Sequence, residues 1–155
     1  MTGSIATLPT FPPMRQLESL DAWRIALDMA HSAYQLTLDR PLRTHFKLAD
    51  QIRAAAVSVP ANIAEGYALG STVQFIRCLR IALGSAAEIR SHLELTRRLR
   101  LAPDKETAAA IAQAMRVISV LVGLLRALQR RSGSRFPFPV SRFPSRGSGD
   151  RHAPQ

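Results

Sequence analysis

The stretch Phe75-Ile76-Arg77-Cys78-Leu79-Arg80-Ile81-Ala82-Leu83-Gly84-Ser85-Ala86-Ala87-Glu88-Ile89-Arg90 decides the fold. Phe75, Leu79, Ala82, Ala86 and Ile89, continued by Leu93, return every three or four residues, the period of one helix face turned to a core. Ser71 or Thr72 stands ahead of it as an N-cap, and the pattern runs to about Leu101, where Pro103 stops it and opens the next helix.

The same period extends to both sides. Upstream, a helix from about Leu20 to Asp39 carries Leu20, Trp23, Leu27, Ala30, Tyr34 and Leu38 on one stripe, with Pro41 just past its end. A second helix starts near Thr44, with Leu48, Ile52, Ala55, Val59 and Ile63 inward and Gly66 and Gly70 marking its exit. Downstream, a helix from about Asp104 to Arg130 shows Ala108, Ile111, Met115, Ile118, Val122, Leu125 and Leu128. Short connections make neighbours antiparallel, so the predicted fold is all-α, an antiparallel up-down-up-down four-helix bundle over 17–131. The leader 1–16 and the basic Ser/Gly/Pro/Arg/Phe tail 132–155 lack periodicity and read as disordered.

The third helix is apolar on two sides. Ile81, Leu95 and Leu99 lie off the core stripe, and Gly84, Ala87 and Ser91 form a small-residue strip between Arg80 and Arg98. Such a helix needs a second partner surface, either another copy of the chain or a wide packing inside one bundle.

Composition narrows the function classes. The 155 residues carry 21 Lys plus Arg against 11 Asp plus Glu, a net +10, so acidic partners are favoured. Only Lys47 and Lys105 are lysines; the rest are guanidinium forks, which suit phosphate and carboxylate, although a GC-rich genome also substitutes Arg for Lys. The longest uncharged apolar stretch, Val117 to Leu125, falls short of the roughly 20 residues that span a bilayer. No basic segment followed by an apolar run opens the chain, so a cytoplasmic location is the expectation.

No chemistry announces itself. Cys78 is the only cysteine and sits in mid-helix, away from a helix N-terminus that would lower its pKa. A di-iron bundle needs paired Glu-x-x-His motifs; this chain offers one Asp-x-x-His, Asp28 with His31, and one Glu88–His92 pair. Phosphate-binding, dinucleotide and nucleophile-elbow motifs are missing. The reading is therefore non-enzymatic, without cofactor or metal. Arg53, Asn62, Glu65, Ser85 and Glu88 are expected to form a polar network linking helices two and three around Pro60, which removes a backbone donor and kinks its helix; a binding role for Glu65 is the other reading.

Leu20-Asp21-Ala22-Trp23, Gln51-Ile52-Arg53-Ala54-Ala55, Ser58-Val59-Pro60-Ala61-Asn62-Ile63-Ala64-Glu65-Gly66, Phe75-Ile76-Arg77-Cys78-Leu79 and Ala82-Leu83-Gly84-Ser85-Ala86-Ala87-Glu88 together resemble the four-helix-bundle family encoded in intervening sequences of bacterial 23S rRNA genes. That family is related to the accessory proteins of diversity-generating retroelements. The likeness covers Leu20 to Leu128 and ends before the tail. It implies a protomer that assembles into a homopentameric ring. In the retroelement branch a basic surface binds nucleic acid and a reverse transcriptase, and the family pattern brings no catalytic residues.

Two function classes follow. In the first, a nucleic-acid-binding accessory protein, Arg77, Arg80, Arg90, Arg97, Arg98 and Arg100 on the third helix and Arg126, Arg130 and Arg131 at the end of the fourth neutralise RNA or DNA phosphates. Tail arginines interleaved with Phe136, Phe138 and Phe143 add stacking on single strands. In the second, an oligomeric protein-interaction scaffold, the charge is a solvated face that serves solubility and association rate. Metal or cofactor storage inside the bundle is a third and weaker reading.

Overall fold

The computed structural model describes residues 17, 18 and 20–132; the expectations for the leader and for the tail beyond Ser132 lie outside them. Four α-helices, α1 (Asp21–Leu36), α2 (Phe46–Ala68), α3 (Thr72–Arg98) and α4 (Asp104–Ser132), pack as a bundle, with one 3-10 turn at Leu42–Thr44 and no strand among the described residues. Each helix packs on the next and α4 returns to α1, so α1/α2 and α3/α4 form opposite sides of the bundle.

The helix ends are set by local chemistry. Gly70 takes φ +65° just past α2, the left-handed position that glycine adopts without strain. Past α3, Leu101 N–H donates to the Thr96 carbonyl (3.0 Å) and Arg100 N–H to that of Arg97 (3.1 Å), a Schellman closure with Arg100 at φ +54° where glycine is usual. Leu42 N–H donates to the Leu101 carbonyl at 2.9 Å and ties the α1–α2 and α3–α4 connections together.

Most of the core positions expected on α2 and α3 are buried: Ile52, Ala55, Val59 and Ile63 face Leu79, Ala82, Ala86, Ile89 and Leu93, while Leu48 and Phe75, expected with them, are half-buried at the edge. On α1 the expected stripe is rotated. Ala22, Ala26, Met29 and Ala33 are buried, whereas Leu27, Tyr34 and Leu38 are substantially exposed and Leu20, Trp23 and Ala30 half-buried. On α4, Ile111 and Leu125 are buried as expected, but Ala110, Ala114, Val117 and Leu121 complete the stripe and Met115 points outward. Alanine explains the shift on α1 and, at Ala110 and Ala114, in the first half of α4. A small side chain lets two helix backbones approach, so the seam follows the alanines and the larger residues settle at its edges. α4 also has the length and composition of a bilayer-crossing helix, which counting only its uncharged stretch missed; part of that apolar surface is used against α1 and α3.

Helix α2 runs unbroken through Pro60, which is buried. Gly66, expected at its exit, lies inside it. A Cβ added there would stand 2.6 Å from Cys78 Cβ and 2.9 Å from Phe75 Cδ2. The glycine thus marks a close approach between α2 and α3, and Tyr67 and Phe75 pack edge to face beside it, 6.3 Å between centroids.

Candidate nucleic-acid interface

Charge is unevenly divided between the two sides. Residues 17–68, which hold α1 and α2, carry five Lys/Arg and six Asp/Glu, a net −1. Residues 72–131, which hold α3 and α4, carry eleven Lys/Arg and four Asp/Glu, a net +7. After Glu106, α4 contains Arg116, Arg126, Arg130 and Arg131 and no carboxylate; on α3 the first carboxylate is Glu88. Arg116, exposed in the middle of α4, belongs with the candidates, and tallying charges along that helix would have found it.

The nine expected arginines do not form one patch. The start of α3 and the end of α4 share one end of the bundle, so Arg77, Arg80, Arg126, Arg130 and Arg131, all exposed, come together there. Arg97, Arg98 and Arg100 stand at the other end, about 26 Å from Arg80 along the helix at 1.5 Å per residue. Arg90 is half-buried between them.

Arg97 is already engaged. Its Nε donates to Asp104 Oδ1 at 2.7 Å and its Nη2 to Oδ2 at 3.3 Å, a fork across the α3–α4 turn. The hydrogen bond, then the opposite charge, hold the Asp104 carboxyl below its ordinary range and raise the Arg97 guanidinium. Arg97 and Arg98 in the last turn of α3, and Arg130 and Arg131 in that of α4, also offset the negative ends of their helix dipoles.

The five residues expected to form one polar network are divided. Ser58 is its missed centre: its hydroxyl lies 2.9 Å from that of Ser85, and Asn62 Nδ2 donates to the Ser58 carbonyl (2.8 Å) and hydroxyl (3.1 Å). Arg53 turns the other way and clasps α1. Its Nε donates to Thr37 Oγ1 at 2.8 Å, its Nη2 to the Thr37 carbonyl at 2.9 Å, and its guanidinium lies 5.6 Å over the Tyr34 ring. Glu65 and Glu88 are exposed, and Glu88 stands 3.4 Å from His92. Buried Thr37 carried no sequence signal, because its role depends on where the chain turns after α1.

Cys78 is buried against Gly66. Burial pushes its thiol up, Glu65 adds to the rise and Arg77 opposes it, so the sulfur stays protonated near neutral pH. Among the described residues no three His, Cys, Asp or Glu side chains gather as a metal site.

Between α3 and α4 runs a groove of about 630 Å³ with Leu83, Leu95, Ile118 and Val122 in its walls and Arg90, Glu94 and Arg98 along it. It separates the two arginine clusters with an apolar strip.

No curated protein matches the chain. The family model of the 23S rRNA-intervening sequence proteins matches residues 18–123, most of the bundle and more than half of the sequence. The five sequence strings that suggested this kinship fall on α1, α2 and α3, including the Pro60–Gly66 segment, whose last residue sits close against α3. The chain therefore belongs to the 23S rRNA-intervening sequence protein family.

Proposed function

We propose that the protein is a non-enzymatic, cytoplasmic accessory protein that binds RNA or DNA phosphates through the arginine-rich α3/α4 side, and that it works as a homopentameric ring. The observation that carries this is the charge division, net +7 on residues 72–131 against −1 on residues 17–68. A sparse one-sided array of guanidinium groups on helices neutralises phosphates and releases counterions, which gives affinity with little sequence preference. The cluster of Arg77, Arg80, Arg126, Arg130 and Arg131 is the leading contact, because all five are exposed at one end of the bundle. Arg97 contributes less, since Asp104 already occupies its fork. Kinship to the retroelement accessory proteins would place a reverse transcriptase among the partners, with the polymerase supplying all the chemistry.

The test is a titration with labelled single-stranded and duplex RNA and DNA across salt concentrations, beside a version ending at Arg131. Binding that falls steeply with salt and survives truncation supports the reading. Binding by the tail alone, or none, favours a protein-interaction scaffold, the reading that the apolar α3/α4 groove supports.

A further inference from the structure

Arg77, Arg80, Arg126, Arg130 and Arg131 are exposed at the end of the bundle where α3 begins and α4 finishes at Ser132. The aromatic side chains at that end are already engaged: Trp23 and Phe75 pack against the core, and Tyr67 lies edge to face with Phe75. The folded end therefore offers guanidinium groups to phosphate but no free ring to a base. Contacts of that kind hold a paired and an unpaired strand alike.

The sequence just past Ser132 carries the missing chemistry. Ser134-Arg135-Phe136-Pro137 and Ser141-Arg142-Phe143-Pro144 are the same four residues twice, seven positions apart, with Phe138 between them. Three of the chain's six phenylalanines thus fall within 136–143, and Arg135, Arg142, Arg146 and Arg151 stand against the single carboxylate of Asp150. Arg135 is four residues beyond Arg131, a separation of at most about 14 Å along the chain. The first Arg-Phe pair is thereby tethered to whatever strand the bundle arginines hold, and tethering makes its engagement an intramolecular step.

We propose that the arginine end of the bundle and the repeated Arg-Phe unit beyond it form one composite site for an unpaired RNA or DNA strand. The proposal rests on the phosphate-binding reading above and names the substrate class of that site. Arg77, Arg80, Arg126, Arg130 and Arg131 hold the phosphates, and Phe136, Phe138 and Phe143 stack on the bases. Base pairing decides access, because bases in a duplex are stacked on one another whereas unpaired bases can splay out onto aromatic rings. Every base has a face to offer, so the site selects the unpaired state and not a sequence.

The test uses full-length protein with Phe136→Leu, Phe138→Leu and Phe143→Leu combined, which removes the rings and keeps every charge. It is compared with the wild type and with a combined Arg77→Gln, Arg126→Gln, Arg130→Gln and Arg131→Gln variant of wild-type helicity. The probes are labelled oligouridine and oligothymidine of about 20 nucleotides, longer than the roughly 4 to 16 that single-strand sites cover, each alone and paired with its complement. The leucine variant is expected to bind the unpaired strands about tenfold more weakly, to bind the duplexes as the wild type does, and to keep the wild-type salt slope. The glutamine variant should weaken on both forms. A leucine variant that matches the wild type on unpaired strands, or that loses as much on duplexes, would overturn the proposal; weakening of the glutamine variant would then leave the phosphate-binding reading standing. Unpaired-strand binding that the glutamine substitutions do not weaken would also overturn the composite site, and a wild type that binds no probe would overturn both readings.

Discussion

Replacing Gly66 by alanine adds one methyl group where α2 lies close against α3. The new Cβ would sit 2.6 Å from Cys78 Cβ, 2.9 Å from Phe75 Cδ2 and 3.3 Å from Phe75 Cα. The Phe75 ring can swing aside, but neither the Cys78 Cβ nor the Phe75 Cα can move without its backbone, so the helices must separate. Overpacking of this kind costs about 1–3 kcal/mol, and a contact between backbone-fixed atoms belongs at the upper end. Alanine returns about 1 kcal/mol of helix propensity. The net loss is about 2 kcal/mol, which for a chain of this size lowers the melting temperature by about 8 °C. Thermal unfolding followed by circular dichroism at fixed protein concentration measures it, since assembly makes the midpoint depend on concentration. The clash also predicts that Gly66→Ala is better tolerated when Cys78 is glycine, a favourable coupling in a double-mutant cycle. A Gly66→Ala protein as stable as the wild type, or more so, would refute the close-approach reading.

Arg100→Gly should stabilise the protein by about 1 kcal/mol in urea denaturation, because the residue sits at φ +54° where a side chain is strained. Arg53→Ala should cost about 1.5–3 kcal/mol in the same assay and Arg53→Lys should recover little, since an ammonium cannot make the two-pronged bond to Thr37. The Asp104 carboxyl is held below its ordinary range in the folded state, so the unfolded state takes up protons first as pH falls. Its contribution is present above the ordinary carboxylate range and lost as pH falls through that range and then through the lowered folded value. Asp104→Asn should be slightly less stable at neutral pH and lose less stability on acidification, read as denaturant midpoints between about pH 7 and pH 2.

How much of this was legible in the sequence depended on which residues made the core. Where large aliphatics formed the seam, as with Val59 and Ile63 on α2 and Leu79 and Leu93 on α3, the three-and-four spacing gave the correct face. Where alanines formed it, as on α1 and at Ala110 and Ala114 of α4, the eye followed the larger Leu27, Tyr34 and Met115 to the wrong phase, because periodicity weighs hydrophobic bulk and close packing rewards its absence. Gly66 looked like a helix exit for a related reason: a glycine that serves a close contact has the same letter as one that ends a helix. The candidate arginines were legible as residues but not as a surface. Their division between two ends follows from helix length, and the loss of Arg97 to Asp104 follows from a turn that brings residues seven apart into contact. Ser58 and Thr37 were missed because each acquires its partners from a neighbouring helix or connection.

The most direct test of the central claim is the salt dependence of nucleic-acid affinity for the wild type beside a variant with Arg77, Arg126, Arg130 and Arg131 all changed to glutamine. On single strands each phosphate contact contributes about 0.7 to the slope of log K against log salt. The account predicts that the variant folds and assembles like the wild type, binds more weakly near physiological salt, and shows a slope shallower by about 2 to 3. Equal affinity and equal slope in the two proteins would contradict it.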